Sequence, residues 1–157
     1  MASGGGCDAL WLDELHALFA RVDALYADWS CADSGDCCRF GSAGHQPYVT
    51  AIELFAIRHA LAELAPVTER RALPVLREAS DVRSCPLLDR GGACSVYADR
   101  PFGCRTYYCG RAKPGAHPNA DELAELLAAL QDLAARHKLG GDHVRPLANA
   151  IEGGWAG

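Results

Sequence analysis

The sequence predicts a mostly α, small single domain of about four helices, interrupted by an irregular cysteine-rich region that contains a short β-hairpin. Three observations predict this. Apolar residues recur at three- and four-residue steps in separate stretches along the chain. That helical period disappears for more than thirty residues after Ser80. Seven of the eight cysteines fall in two clusters, CADSGDCC at 31–38 and the stretch 81–110.

The first helix is expected over 8–29, where Trp11, Leu15, Leu18, Val22, Leu25 and Trp29 form one face and Asp13, Glu14, Arg21 and Asp23 lie mostly on the other. Residues 1–7 are glycine-rich and expected to fray, and Cys7 among them stands apart from both clusters. CADSGDCC and the following RFGSAGHQPYV break the period with Asp, Ser, Gly and Pro, as loops do. Thr50-Ala-Ile-Glu53 is a capping box, and it opens a second helix with Ile52, Leu54, Phe55, Ile57, Leu61 and Leu64 as its apolar residues. Ala65-Pro66 ends that helix. A third helical segment, 68–80, is kinked or divided at Pro74.

A long irregular stretch inside a compact domain needs a specific stabiliser. Within it, Cys85-Pro-Leu-Leu and Ala-Cys94-Ser-Val-Tyr97 flank Asp89-Arg-Gly-Gly92, which reads as a β-hairpin that brings Cys85 near Cys94. The fourth helix is expected over 119–139, with Leu123, Leu126, Leu127, Leu130 and Leu133 buried, Asn119 and Glu122 at its start and Gly140-Gly141 at its stop. Residues 142–157 read as a weakly structured tail with one turn around Leu147–Ile151.

With 157 residues and half of them hydrophobic, the chain fits one domain (1–157) that buries a core without covalent staples. A net charge of −5 argues against nucleic acid as a partner. The N-terminus lacks a cationic leader segment, and no apolar run approaches a membrane span, so a cytoplasmic setting is expected. There, clustered thiols bind metal or do redox chemistry more often than they form disulfides.

Thiolates are soft anionic ligands suited to zinc, copper(I) or iron–sulfur clusters. The candidate ligands are Cys31, Cys37, Cys38, Cys85, Cys94, Cys104 and Cys109. One zinc ion or one cubane cluster takes four, so seven exceed any single simple site. Adjacent side chains such as Cys37 and Cys38 diverge in regular backbone, so one naturally ligates while the other packs, bridges or serves a second metal. His45, seven residues after Cys38, is an extra candidate, although a lone loop histidine is more often solvated. Between 81 and 113, six cationic side chains (Arg83, Arg90, Arg100, Arg105, Arg111 and Lys113) face three acidic ones, which is what compensation of buried thiolates requires. An anion-binding face is the competing account.

CADSGDCC, Thr50-x-x-Glu53, CPLLD, CSVY and RPFGCR, in that order, resemble the YkgJ-type cysteine-cluster family, the zinc- or iron-chelating domain with a C-x2-C-x2-C-C motif. The resemblance runs from Cys31 to Cys109. It aligns Cys31, Cys37 and Cys38 with the first, third and fourth motif cysteines, while Ser34 stands at the second. Cys85, Cys94 and Cys104 align with the downstream cysteines, and Cys109 is available to compensate for Ser34. The family implies a small metal-binding domain. Flagellin lysine methylase-like relatives carry a related cluster associated with iron–sulfur binding.

Three functions follow as expectations. The first is a cytoplasmic protein holding an iron–sulfur cluster, [4Fe–4S] favoured, for electron transfer or as an accessory to a partner protein. The second is a zinc-stabilised interaction module. The third is a metal-dependent modifying enzyme, with Tyr107 and Tyr108 near the metal. GSAG at 41–44 and RGG at 90–92 lack the strand-to-helix setting of a methyl-donor site.

Overall fold

The computed structural model describes residues 5–31, 35–64, 84–137 and 143–152, with the side chains of 5–7, 42 and 152 excepted. Three long helices carry the fold: α1 (Gly5–Leu25), α3 (Ala51–Leu64) and α5 (Ala120–His137). Between them lie the four-residue helices α2 (Phe40–Ala43) and α4 (Phe102–Arg105). A two-residue strand β1 (Tyr48–Val49) precedes α3, and β2 (Arg145–Pro146) leads into α6 (Leu147–Glu152). The molecule is mostly helical, as its periodicity predicts.

The main core lies where α1 meets α5 and α3. Leu15, Phe19 and Val22 of α1, Leu126, Leu130 and Leu133 of α5 and Ile52 of α3 are essentially inaccessible. Each such side chain contributes about 1.5–3 kcal/mol when withdrawn from water. α1 stops at Leu25, earlier than its apolar stripe suggests. Three-residue turn bonds take over (Tyr26 N–H to Asp23 O, 3.1 Å; Trp29 N–H to Tyr26 O, 2.9 Å), so Trp29 joins the core from a turn. Leu127, expected on the buried face of α5, is 42% exposed, because the apolar arc of that helix runs past the core. Leu64, an apolar residue of the second helix, is 61% exposed. The segment expected at 68–80 lies outside the described residues, as do Gly140-Gly141.

A second core packs under the cysteine loops: Val49, Leu54, Ile57, Cys85, Leu87, Val96, Leu147 and Ala150. α3 serves both cores, with Ile52 and Ala56 turned to one and Leu54 and Ile57 to the other. The tail is more ordered than a single turn. β2 pairs antiparallel with β1 (Tyr48 opposite Pro146, Val49 opposite Arg145), and Leu147 N–H donates to Pro47 O at 2.9 Å. The expected hairpin is reduced to one bridge, Leu88 with Cys94. Its turn is closed by the Asp89 carboxylate, which accepts from Gly91 N–H (2.8 Å) and Ala93 N–H (2.9 Å).

Candidate metal centre

The two cysteine loops are far apart in sequence and joined in space by backbone bridges near both ends. Ser30 exchanges hydrogen bonds with Lys113 (3.2 and 3.0 Å), which sets Cys31 beside the chain that follows Cys109. Arg39 pairs with Ser84, and Cys85 N–H donates to Cys38 O at 2.7 Å. Between these points Gly35 approaches Gly92 so closely that a Cβ on Gly35 would lie 2.6 Å from the Gly92 carbonyl oxygen. Gly35 (φ +65°) and Gly92 (φ +83°) both occupy left-handed backbone, which glycine adopts without strain.

The remaining cysteines are positioned by local turns. Cys37 and Cys38 lie in a 3₁₀ turn, Asp36–Cys38, that begins just after Gly35. Cys104 is carried by α4, whose first turn starts at Pro101 with its fixed φ. Glu53 ties α4 to α3. One carboxylate oxygen accepts from Thr50 N–H and Thr50 Oγ (both 2.8 Å), completing the capping box, and the other accepts from Phe102 N–H at 2.8 Å. The side chain is 1% exposed, and burial pushes its pKa up against those three donors and the charge of Arg105. A capping box was expected here; its second attachment, 49 residues away, has no sequence signal.

The result is one cavity of about 80 Å³ lined by all seven candidate cysteines, Cys31, Cys37, Cys38, Cys85, Cys94, Cys104 and Cys109. None of the seven is in a disulfide. Room for a single water-sized particle takes only about 10–15 Å³, so this space admits a group larger than one ion. The thiols line walls rather than close on a point: among the described residues no three His, Cys, Asp or Glu side chains are spaced to hold one metal ion. His45, Tyr107 and Tyr108 also line the cavity, with Leu147 from α6, which the sequence reading did not include. Ser34 lies outside the described residues, as does the side chain of Cys7.

Charge around the cavity is uneven. Burial pushes the thiols of Cys94 and Cys104 up, so ionising them requires a compensating cation. Cys37 and Cys38 lie Sγ to Sγ 3.9 Å apart, within reach of a thiol hydrogen bond that either could donate. Held chiefly by the hydrogen bond from Cys38, Cys37 falls to about 6, while Cys38 is driven up by the same contact. Arg100, on the cavity wall, lowers both Cys37 and Cys94. Its guanidinium is fixed by Tyr97 O (3.0 Å) and Asp23 (3.2 Å) and lies over the Tyr97 ring.

The other cations predicted to compensate thiolates divide. Arg105 is 3% exposed, and its head goes to Asp23, Ala98 O and Arg100 O, binding the loop to α1. Arg111 pairs with Asp36 at 3.0 Å on the surface, a tie between the loops that contributes little energy. Arg83 lies outside the described residues.

A family model named CxxCxxCC, "Putative zinc- or iron-chelating domain", matches residues 30–123, more than half of the chain. The chain belongs to the CxxCxxCC family. The matched span contains both cysteine loops and their bridges, and with them every thiol that lines the cavity. Seven thiols facing one space are a fitting donor set for either metal. No curated protein and no solved structure matches the chain. Among the described residues of this CxxCxxCC protein, no helix is long and apolar enough to cross a membrane.

Proposed function

We propose that the chain holds an iron–sulfur cluster, [4Fe–4S] favoured, on thiolates from the two loops and serves electron transfer or assists a partner protein in the cytoplasm. The observation that carries this is the convergence of seven thiols from both loops on one cavity of about 80 Å³. A closed zinc site uses four ligands around one ion. A cluster fills a larger space, also takes four cysteines, and leaves thiols over for assembly or exchange. Arg100 on the wall offsets part of the negative charge that such a ligand set would gather. The net charge of −5 disfavours nucleic acid, and no membrane role is proposed.

Zinc is the second reading, because the family description names either metal. On that reading the metal staples the loops, and the protein is an interaction module. A metal-dependent modifying enzyme is the third reading. Tyr107 and Tyr108 on the cavity wall would then contact its substrate.

The test is purification without oxygen, followed by iron, zinc and acid-labile sulfide analysis and a visible spectrum. A brown protein with iron and sulfide in equal amounts is expected. Colourless protein containing zinc alone would remove the cluster reading.

A further inference from the structure

We propose that His45 is a nitrogen ligand of the metal group in this cavity, alongside the thiolates. The inference rests on the metal-binding reading of the site and adds a donor of different chemistry to it. His45 lines the cavity, and its Nε2 is buried with no hydrogen-bond partner among the described residues. A buried imidazole nitrogen left unsatisfied is costly, and coordination would use the lone pair that is otherwise stranded. Imidazole suits both zinc and iron.

An orphaned nitrogen alone would not suffice, as His137 shows. Its Nδ1 is also buried and unpartnered, but its ring sits among Trp11 and Phe55 in the helical core. His45 differs in lining a cavity that seven thiols also line.

The ring is also held in place. It stacks on Tyr107 with centroids 4.2 Å apart and planes 9° from parallel, and Tyr107 donates its hydroxyl to Ala43 O (3.4 Å), two residues upstream. Gly44, at φ +64°, ends α2 with its N–H on Phe40 O (3.1 Å). On the other side, Pro47 O is fixed by Leu147 N–H. Orientation by a packed second layer is what a ligating imidazole requires.

The test is K-edge X-ray absorption on protein loaded with zinc and, separately, with iron and sulfide under anaerobic conditions. Zinc–nitrogen scattering at about 2.0–2.1 Å separates from zinc–sulfur at about 2.3 Å. Wild type is expected to show both shells. His45→Phe keeps a flat ring against Tyr107 and should lose the nitrogen shell. His45→Cys should retain metal with sulfur alone and serves as the second variant if His45→Phe does not fold. A sulfur-only shell in wild type, or a nitrogen shell that persists in either variant, overturns this inference while leaving metal binding intact. Wild type that takes up neither metal overturns both.

Discussion

Gly35 and Gly92 meet backbone to backbone across the two cysteine loops, with no room for a side chain on the first. A Cβ at position 35 would lie 2.6 Å from the Gly92 carbonyl oxygen, and Gly35 already holds a positive φ of 65°. Gly35→Ala therefore combines a left-handed penalty with a displacement of the opposing loop. We expect a loss of roughly 2–3 kcal/mol in urea unfolding. Metal retention against a chelator should weaken as well, because Cys37 and Cys38 begin two residues later. Unchanged values of both would show that the loops do not depend on this approach.

Glu53 joins two helix starts with one carboxylate. Glu53→Ala leaves Thr50 N–H and Phe102 N–H without their acceptor and should cost roughly 3 kcal/mol. Glu53→Gln keeps an oxygen for one of them but turns an amide N–H toward donors, and should cost roughly half as much. Denaturant midpoints of the two variants check the order. If Gln is tolerated as wild type, the carboxylate is dispensable and shape alone holds α4.

In metal-free protein, Cys37 should be the thiol that alkylates at the lowest pH, titrating near 6. Its largest support is the hydrogen bond from Cys38, so Cys38→Ala should move the alkylation profile of Cys37 upward, toward the ordinary cysteine range. Arg100→Met removes a smaller favourable charge and should move Cys37 and Cys94 in the same direction. Mass-spectrometric alkylation rates against pH measure both. A Cys37 profile unmoved by Cys38→Ala would show that the contact with Cys38 does not hold Cys37 down.

His137 is 6% exposed, and burial lowers its pKa against the weak pull of Asp8. The unfolded chain takes up a proton at this site below about 6.5 while the folded chain still refuses it. Stability from this group is thus complete above about 6.5 and is lost as pH falls from there to the lowered folded value. His137→Leu should show a smaller drop in urea midpoint between pH 7 and pH 5 than wild type. An equal drop would place the acid sensitivity elsewhere.

The parts of the fold that could be read in advance are those with local chemistry. Long helices declare themselves by period, Thr50-x-x-Glu53 by its capping pattern, and the seven cysteines by clustering in loops, so a shared cavity was a natural expectation. What was illegible depends on tertiary closure. Two-residue strands such as Tyr48–Val49 carry no alternation, and the Ser30–Lys113 bridge uses backbone groups that every residue has. The second bond of Glu53 and the arrival of Leu147 at the cavity are likewise set by where distant segments meet. The end of α1 moved to Leu25 because turn hydrogen bonds carry the chain on to Trp29, and Leu127 obeys the period of α5 yet stays 42% exposed.

The pairing of β1 with β2 bears on what the matched family span can do by itself. Residues 30–123 contain every thiol that lines the cavity, yet Leu147, 1% exposed and held by Pro47 O, closes part of its wall from beyond that span. Asp23, which anchors Arg100 and Arg105, lies ahead of it. A fragment trimmed to the match, or grafted onto another scaffold, would carry the donors and lose part of the apolar wall beside them. Its thiols would sit in a wetter, more polar setting, easier to ionise and easier to oxidise. Chelating residues can be transplanted by motif, but the chamber around them belongs to the longer chain.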